Sequence, residues 1–314
     1  MSGPTLRRLV AAAALGALAL GAAACGGSGS TEASTEQRTT RTIEHAMGRT
    51  EVPVQPERVV VLDTGEFDAV TALGVKPVGA VRAPADSGFL EYLRDEARGV
   101  ELVGTIAEPN LEKIASLRPD LILSSKLRHE EFYDELSGIA PTVFAETVGV
   151  VWKENFLLDA RALGMEGKAR RMLDGYEQRA AQLGSKIGDP AATSVSLVRF
   201  TPDQIRLYAK GSFIGTVLDD VGFSRPPSQQ PDETFVEVSA EQIAQADGDV
   251  IFVSSYGPAA ETGLPSVTAG PLWQTLGAVE AGKVQLVPDD HWMLGIGIGA
   301  AQLVLDDLEA HFLR

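Results

Sequence analysis

The sequence predicts an α/β protein with two lobes joined by a helical segment. Three observations support this fold class. Its 314 residues exceed what one hydrophobic core commonly holds. Short apolar runs alternate with helical patterns on both sides of residues 152–188, and one segment of the first half recurs in the second. Such alternation favours parallel sheets covered by helices.

The composition indicates an ordinary globular protein and excludes several functional classes. Hydrophobic residues make up 44% and charged residues 22%, with 32 Gly and 17 Pro, which excludes disordered, collagen-like and multi-spanning chains. The 43 acidic residues outnumber the 27 basic ones, for a formal net charge of −16. Binding to a nucleic acid backbone requires a basic surface, so nucleic acid is not an expected partner.

The N-terminus has the features of a secretory signal peptide over residues 1–24. Arg7 and Arg8 precede an uncharged stretch that ends in small residues before Cys25. The stretch is shorter than the ~20 apolar residues that span a bilayer. The single cysteine resembles the lipidated residue of bacterial lipoproteins, with Ala22 where leucine is usual. We expect Cys25 to be lipidated and to anchor the exported protein; the alternative is an inert cysteine beside a chance cleavage site.

A flexible tether is predicted over residues 25–42, because this Gly/Ser/Thr-rich stretch has too few apolar residues to pack. An N-terminal α/β lobe follows over residues 43–151. Its expected strands are short apolar runs bounded by Gly, Pro or charged residues, at 59–62, 78–81, 120–124 and 141–144. Its expected helices keep helical apolar spacing, at 66–73, 111–117 and 129–137.

A helical spacer is predicted over residues 152–188, which keep helical apolar spacing and contain no proline. The pattern fits one long helix or two abutting helices. A C-terminal α/β lobe then occupies residues 189–314. Its expected strands lie at 194–200 and 249–253 and its expected helices at 214–221 and 241–246.

Residues 110–123 and 239–252 align without gaps and form an internal repeat. Each segment begins with a helix-capping residue, has a glutamate in the first helical turn, and ends in an apolar strand. The two glutamates are Glu112 and Glu241. A carboxylate is stabilised near a helix N-terminus, so capped helices alone could account for both residues.

The order and spacing of several segments resemble class III substrate-binding proteins of bacterial ABC importers, which serve ferric siderophores, haem and cobalamin. The similar segments lie within residues 58–79, 103–122, 128–142 and 290–307. The resemblance implies two Rossmann-like lobes bridged by a single long helix, with the ligand cleft between the lobes. It further implies that Glu112 and Glu241, one on each lobe, dock onto arginines of a permease dimer.

Ligands of open α/β lobes bind beyond the carboxyl ends of the strands, so the residues after the predicted strands are candidates for the cleft. Arginine pairs with oxygen-rich anions and aromatic rings pack on bulky chelates. The candidates are Arg82, Arg128, Trp152, Arg199, Tyr256 and Trp292. The alternative is that each arginine, and Lys126 as well, forms a surface ion pair and that each tryptophan is a core residue. Tyr208 and Phe213 are expected to be packing residues.

These features favour capture of a ferric siderophore, with haem, cobalamin and ferric citrate as alternatives, by a monomer that delivers it to an ABC permease. The four histidines lack metal-ligand spacing, so neither a direct metal site nor a cofactor is expected. An exported α/β enzyme is the alternative of another class. Gly295, Gly297 and Gly299 resemble part of a dinucleotide fingerprint but lack a following βαβ unit. We expect them to let the terminal helix begin close to the cleft.

Overall fold

The structure is a computed structural model that describes residues 39–83 and 88–313. Its strands are short and mostly buried. They are Thr40–His45 (β1), Gly48–Pro53 (β2), Val59–Val61 (β3), Gly79–Arg82 (β4), Glu101–Thr105 (β5), Leu121–Ser125 (β6), Thr142–Ala145 (β7), Val195–Phe200 (β8), Ile205–Tyr208 (β9), Phe235–Val238 (β10), Val250–Ser255 (β11) and Val284–Leu286 (β12).

Helices cover the sheets and join the two halves of the chain. The α-helices are Thr64–Ala72 (α1), Leu111–Ser116 (α2), Lys126–His129 (α3), Tyr133–Ile139 (α4), Trp152–Leu163 (α5), Glu166–Ile187 (α6), Phe213–Val221 (α7), Leu264–Thr268 (α8), Pro271–Gln274 (α9), Gly277–Glu280 (α10) and Ile298–Phe312 (α11). The segment Ala240–Ala246 is a 3-10 helix, and Asp290–Leu294 is a turn of π-helix.

The N-terminal lobe contains a parallel sheet with the strand order β5-β4-β3-β6-β7. Its centre is fully apolar, since every residue of β3 is 0% exposed. The four strands predicted in this lobe are found within about one residue of their expected positions. Strand β5 was not predicted, because only Val103 is buried in this edge strand and the sequence has no apolar run there.

A β-hairpin of β1 and β2 precedes this sheet. Thr40, Arg41 and Thr42, which the sequence assigned to the tether, pair with β2. The hairpin joins the edge of the sheet, where the Ala46 amide donates to the Phe144 carbonyl over 2.9 Å. Alternate burial along a two-stranded segment produces no continuous apolar run, so the sequence pattern missed the hairpin.

The C-terminal lobe has the strand order β10-β9-β8-β11-β12. Strands β8, β11 and β12 are parallel, whereas β9 and β10 are antiparallel additions at one edge. The parallel strands match the prediction, and β9 and β10 extend the sheet with an antiparallel edge that the sequence did not predict. A short turn separates β8 from β9, and a connection of that length can join only antiparallel strands.

The helical spacer consists of α5 and α6, the second of the two arrangements that the sequence allowed. Helix α5 ends at Gly164, which adopts a left-handed conformation with φ of 73°. Helix α6 runs on for 22 residues. Near its start, Lys168 Nζ donates to the Leu73 carbonyl of the N-terminal lobe over 2.8 Å. Later Tyr176 donates to Asp220 of α7 over 2.8 Å, so α6 bridges the lobes.

The glycines at the start of α11 allow a close contact between α11 and α1. The Asp68 carboxylate accepts hydrogen bonds from the amides of Gly299 (2.8 Å) and Ala300 (2.9 Å) and from the Tyr92 hydroxyl (2.7 Å). A Cβ atom on Gly297 would lie 2.4 Å from Asp68 Cγ. The glycines therefore serve interlobe packing and not the recognition of a dinucleotide.

We expect Gly297→Ala to lower the free energy of unfolding by about 1–3 kcal/mol, because the added methyl group overpacks a rigid contact. The control is Gly175→Ala in α6, where a Cβ atom would meet nothing within 4 Å. That substitution should leave stability unchanged or raise it by up to about 1 kcal/mol. Urea unfolding of both variants measures the difference, and equal stabilities would contradict the packing role.

Candidate ligand cleft

A cleft of about 890 Å³ lies between the two lobes. Its lining residues follow the carboxyl ends of strands in both sheets: Thr64 follows β3, Thr147 follows β7 and Tyr256 follows β11. This is where ligands bind in open α/β sheets. A cleft of this volume encloses most of the surface of a ligand of several hundred cubic ångströms.

Arg128 lines the cleft and has hydrogen-bonding capacity to spare. Its Nε donates to Asp63 Oδ2 over 2.8 Å, and Asp63 is fully buried while 37% of the Arg128 side chain is exposed. The neighbouring Asp63 carboxylate raises the pKa of Arg128 and keeps it charged. Within the described residues, Asp63 is its only hydrogen-bond partner. The two terminal nitrogens of Arg128 can therefore donate into the cleft.

Arg199 lines the cleft too, but its guanidinium is already engaged. Nε donates to Asp289 over 2.7 Å and one terminal nitrogen donates to the Tyr208 hydroxyl over 2.8 Å. Burial lowers the pKa of Arg199, but Tyr208 and Asp289 together raise it overall. Its guanidinium carbon lies 4.7 Å from the centre of the Tyr256 ring. With 5% of its surface exposed, Arg199 mainly orients these two tyrosines.

Tyr256 and Trp292 lie at the cleft as predicted. Tyr256 is partly exposed. Trp292 forms part of the floor and is 0% exposed; its Nε1 donates to Asp307 over 2.8 Å and its ring packs on Phe252. Trp292 therefore gives the floor its shape, whereas Tyr256 offers a ring face at the surface of the cleft.

Two predicted ligand residues are not brought to the cleft. Trp152 is 2% exposed, donates to Thr216 over 2.9 Å and packs edge-on against Tyr176, so it belongs to the core between α5, α6 and α7. Arg82, at the end of β4, does not line the cleft, although the next residue, Ala83, does. The Arg82 guanidinium donates to the Ala83 carbonyl over 3.1 Å. Sequence alone does not show on which side of an element such a residue lies.

Lys126 forms an ion pair with Glu146 at 3.4 Å at the surface beside the cleft. This geometry matches the surface-pair alternative for that residue.

Sequence analysis missed a group of lining residues from β9 and its neighbours. Tyr208 and Phe213, expected to be packing residues, also line the cleft, as do Arg206, Phe235 and the exposed Leu127. The Arg206 guanidinium lies 4.3 Å from the centre of the Phe235 ring. Arg206 and Tyr208 are two positions apart, so they share one face of β9. This alternation was the signal that could have found them.

Glu112 and Glu241 lie on exposed first turns of corresponding segments in the two lobes. The Asn110 side chain caps α2 by accepting from the Lys113 amide over 2.8 Å. Ser239 and Gln242 form a capping box at the start of the 3-10 helix. Both glutamates therefore lie on capped, exposed surface turns.

Some sequence predictions concern membrane anchoring and metal binding. Cys25 and the signal peptide lie outside the described residues. Within residues 39–83 and 88–313, no helix has the length and apolar character needed to cross a membrane. In the same ranges, histidine, cysteine and carboxylate side chains form no group of three or more that could hold a metal ion.

A profile of the periplasmic binding protein family matches residues 59–291. The chain belongs to this family. This periplasmic binding protein is 41% identical over 287 residues to the probable siderophore-binding lipoprotein YfiY of Bacillus subtilis, covering 88% of each chain. It is 34% identical to the achromobactin-binding periplasmic protein of Dickeya dadantii, covering 81% of this chain and 85% of the relative.

Among solved structures, this periplasmic binding protein resembles Staphylococcus aureus SirA complexed with staphyloferrin B. The two share 35% identity with a TM-score of 0.79, over 87% of this chain and 99% of SirA. These comparisons confirm the resemblance stated from the sequence and the two-lobed α/β fold.

Proposed function

We propose that this protein captures a ferric siderophore and delivers it to an ABC permease for iron uptake. The observation that carries the proposal is the cleft, in which the available guanidinium of Arg128 and the ring-stacked Arg206 lie among tyrosine and phenylalanine rings. Arginine pairs with the oxygen donors of a chelate, and aromatic rings pack on its faces. Relatives named for siderophore binding support this assignment.

Iron is the cargo of the proposed cycle and arrives wrapped in its chelator. The described residues present arginines and aromatic rings to the cleft, which suit recognition of a chelate, and they include no group of three or more histidine, cysteine or carboxylate side chains that could hold a bare ferric ion. We accordingly propose binding without catalysis and without a resident cofactor.

The proposed cycle places the protein outside the cytoplasmic membrane, anchored through a lipidated Cys25. Two observations support the anchor: the sequence before Cys25 and the name of the Bacillus relative, a lipoprotein. Glu112 and Glu241 are proposed to dock onto the permease, one from each lobe. The protein is proposed to act as a monomer.

A fluorescence panel tests the proposed ligand. Trp292 forms part of the cleft floor, so a bound chelate should quench its emission. We expect saturable quenching by one of three ferric complexes, a trihydroxamate, a tris-catecholate or citrate, and a loss of that signal in Trp292→Phe. Trp152 and Trp273 do not line the cleft and provide an internal reference. Flat titrations with all three, together with quenching by haem or cobalamin, would contradict the proposal.

A further inference from the structure

A small enclosed cavity lies behind the cleft, between α1, α5 and the segment that leads into α11. Its volume is about 10 Å³, which is the room that one water molecule needs. Val148 and Ile296 line both this cavity and the ligand cleft, so the two spaces share a wall. Two carboxyl groups, of Glu66 and Asp159, face the cavity.

The polar side chains around the cavity offer more hydrogen-bond acceptors than donors. Glu66 is 3% exposed, and its Oε2 has no hydrogen-bond partner. Asp159 is 4% exposed, and none of the side-chain hydrogen bonds among the described residues involves it. Asn155 uses one N–H of its Nδ2 to donate to the Thr147 carbonyl over 2.7 Å, which leaves one N–H as a donor and its oxygen as an acceptor. A single free donor does not satisfy the oxygens of two carboxylates, so further donors are needed.

Burial and the charges around Glu66 and Asp159 disfavour the state in which both carboxyl groups are ionised. Burial raises the pKa of Glu66 well above its usual range, and the charges of Asp63 and Asp159 raise it further, against an opposing effect of Arg128. Burial raises the pKa of Asp159 to about 8, against an opposing effect of Arg161. The segment before α11 contributes only Ile296 and Gly297, which carry no charge. Protonated carboxyl groups provide the additional donors that the cavity needs.

We propose that this cavity is a proton-binding site, in which the protonated carboxyl groups of Glu66 and Asp159 hold one water molecule. Ionisation of this pair of carboxyl groups weakens the binding of an anionic ligand in the cleft. The effect on ligand binding rests on the proposed function, whereas the proton site does not.

The coupling follows from the charges next to Arg128. Asp63 already pairs with Arg128 on the buried side, and Glu66 interacts electrostatically with both. Loss of a proton from the pair of Glu66 and Asp159 adds a second negative charge on the buried side of Arg128. That charge competes with an anionic ligand for the guanidinium and repels the ligand through a medium of low dielectric constant. We therefore expect the ligand affinity to fall as the pair of carboxyl groups loses a proton.

The proton site is tested on the ligand-free protein by thermal unfolding between about pH 5 and about pH 9. The native state keeps a proton that the unfolded chain releases above about pH 4, so the contribution of this proton to stability falls as the pH rises toward about 8. Relative to Asp159→Asn, which cannot titrate, the melting temperature of the wild type should fall over this range and then level off. Glu154→Gln, an exposed substitution on α5, should follow the wild-type profile.

Two results would overturn the proton site. One is a melting profile of Asp159→Asn that runs parallel to that of the wild type. The other is a melting temperature that rises with sodium chloride above its value in choline chloride at equal ionic strength, since the cavity would then hold a cation. Infrared spectroscopy adds a direct readout, because a protonated carboxyl group has a C=O band that Asp159→Asn and Glu66→Gln should each diminish.

The coupling is tested with whichever ferric complex of the fluorescence panel binds. We expect the Kd of the wild type to rise at least about fivefold between about pH 6.5 and about pH 8.5. The Kd of the double variant Glu66→Gln with Asp159→Asn, in which neither position can titrate, should change by less than half that factor. Identical pH profiles for the two proteins would overturn the coupling. A panel without any binding would instead contradict the proposed function and leave the melting experiments to decide the proton site.

Discussion

Replacing Arg128 by alanine is expected to weaken binding of the ferric complex by about 10- to 100-fold. Arg128 is a cleft arginine whose terminal nitrogens have no hydrogen-bond partner within the described residues, and its side chain is 37% exposed. A charge-assisted hydrogen bond from a guanidinium contributes about 1.5–3 kcal/mol. Fluorescence or calorimetric titration with the binding complex measures the loss.

The Arg128→Ala variant has a structural cost that the experiment must separate. It leaves the buried Asp63 without its ion-pair partner, although Asp63 still accepts from the Thr64 amide over 2.7 Å. Arg128→Lys keeps the charge and loses the fork geometry, so it should bind with intermediate affinity. Arg170→Ala, an exposed arginine on α6, is the matched control. Unchanged affinity in folded Arg128→Ala would remove this residue from the ligand site.

Reversing the charges of Glu112 and Glu241 together is expected to reduce iron uptake at least about tenfold while ligand affinity stays unchanged. Both residues lie on exposed turns away from the cleft lining. Opposed charges in an interface stabilise docking, and like charges at the same positions cost several kcal/mol. Uptake of radiolabelled iron by cells that carry Glu112→Arg with Glu241→Arg measures the effect.

The control for this pair changes the net charge equally. Glu135→Arg with Asp174→Arg reverses two exposed acids on α4 and α6, which leaves the capped turns untouched. Normal uptake is expected for this control. If the control and the docking variant lose uptake to the same extent, the effect is one of overall charge; if neither loses uptake, the two glutamates do not dock.

Much of the fold could be predicted because its central strands are continuous apolar runs. Strand β3 and strand β6 are buried on both faces, and such strands need no tertiary information to be recognised. The edge elements escaped prediction for the opposite reason. Strands β5, β9 and β10 are four or five residues long and mix buried with partly exposed residues, so each lacks a long apolar run and resembles many loops in sequence.

The position of the cleft could be predicted, but the roles of its residues could not. Arginines after strands are expected at a cleft, and Arg128 and Arg199 are there. Trp152 begins a helix in the sequence, but the packing of α5 against α6 and α7 determines that its ring lies in the core. The buried Glu66 and Asp159 are absent from the prediction, since an acidic residue on a helix is exposed in most proteins.

The sequence by itself determined the two α/β lobes, their helical connection and the side on which a ligand binds. Apolar runs and capping residues act over a few neighbouring positions, so a linear pattern records them. The tertiary structure alone decided which arginine is available to the ligand. Arg128 and its partner Asp63 are 65 positions apart, and Arg199 and Asp289 are 90 positions apart. Ion pairing depends on distance in space, and only the folded chain brings these charges together.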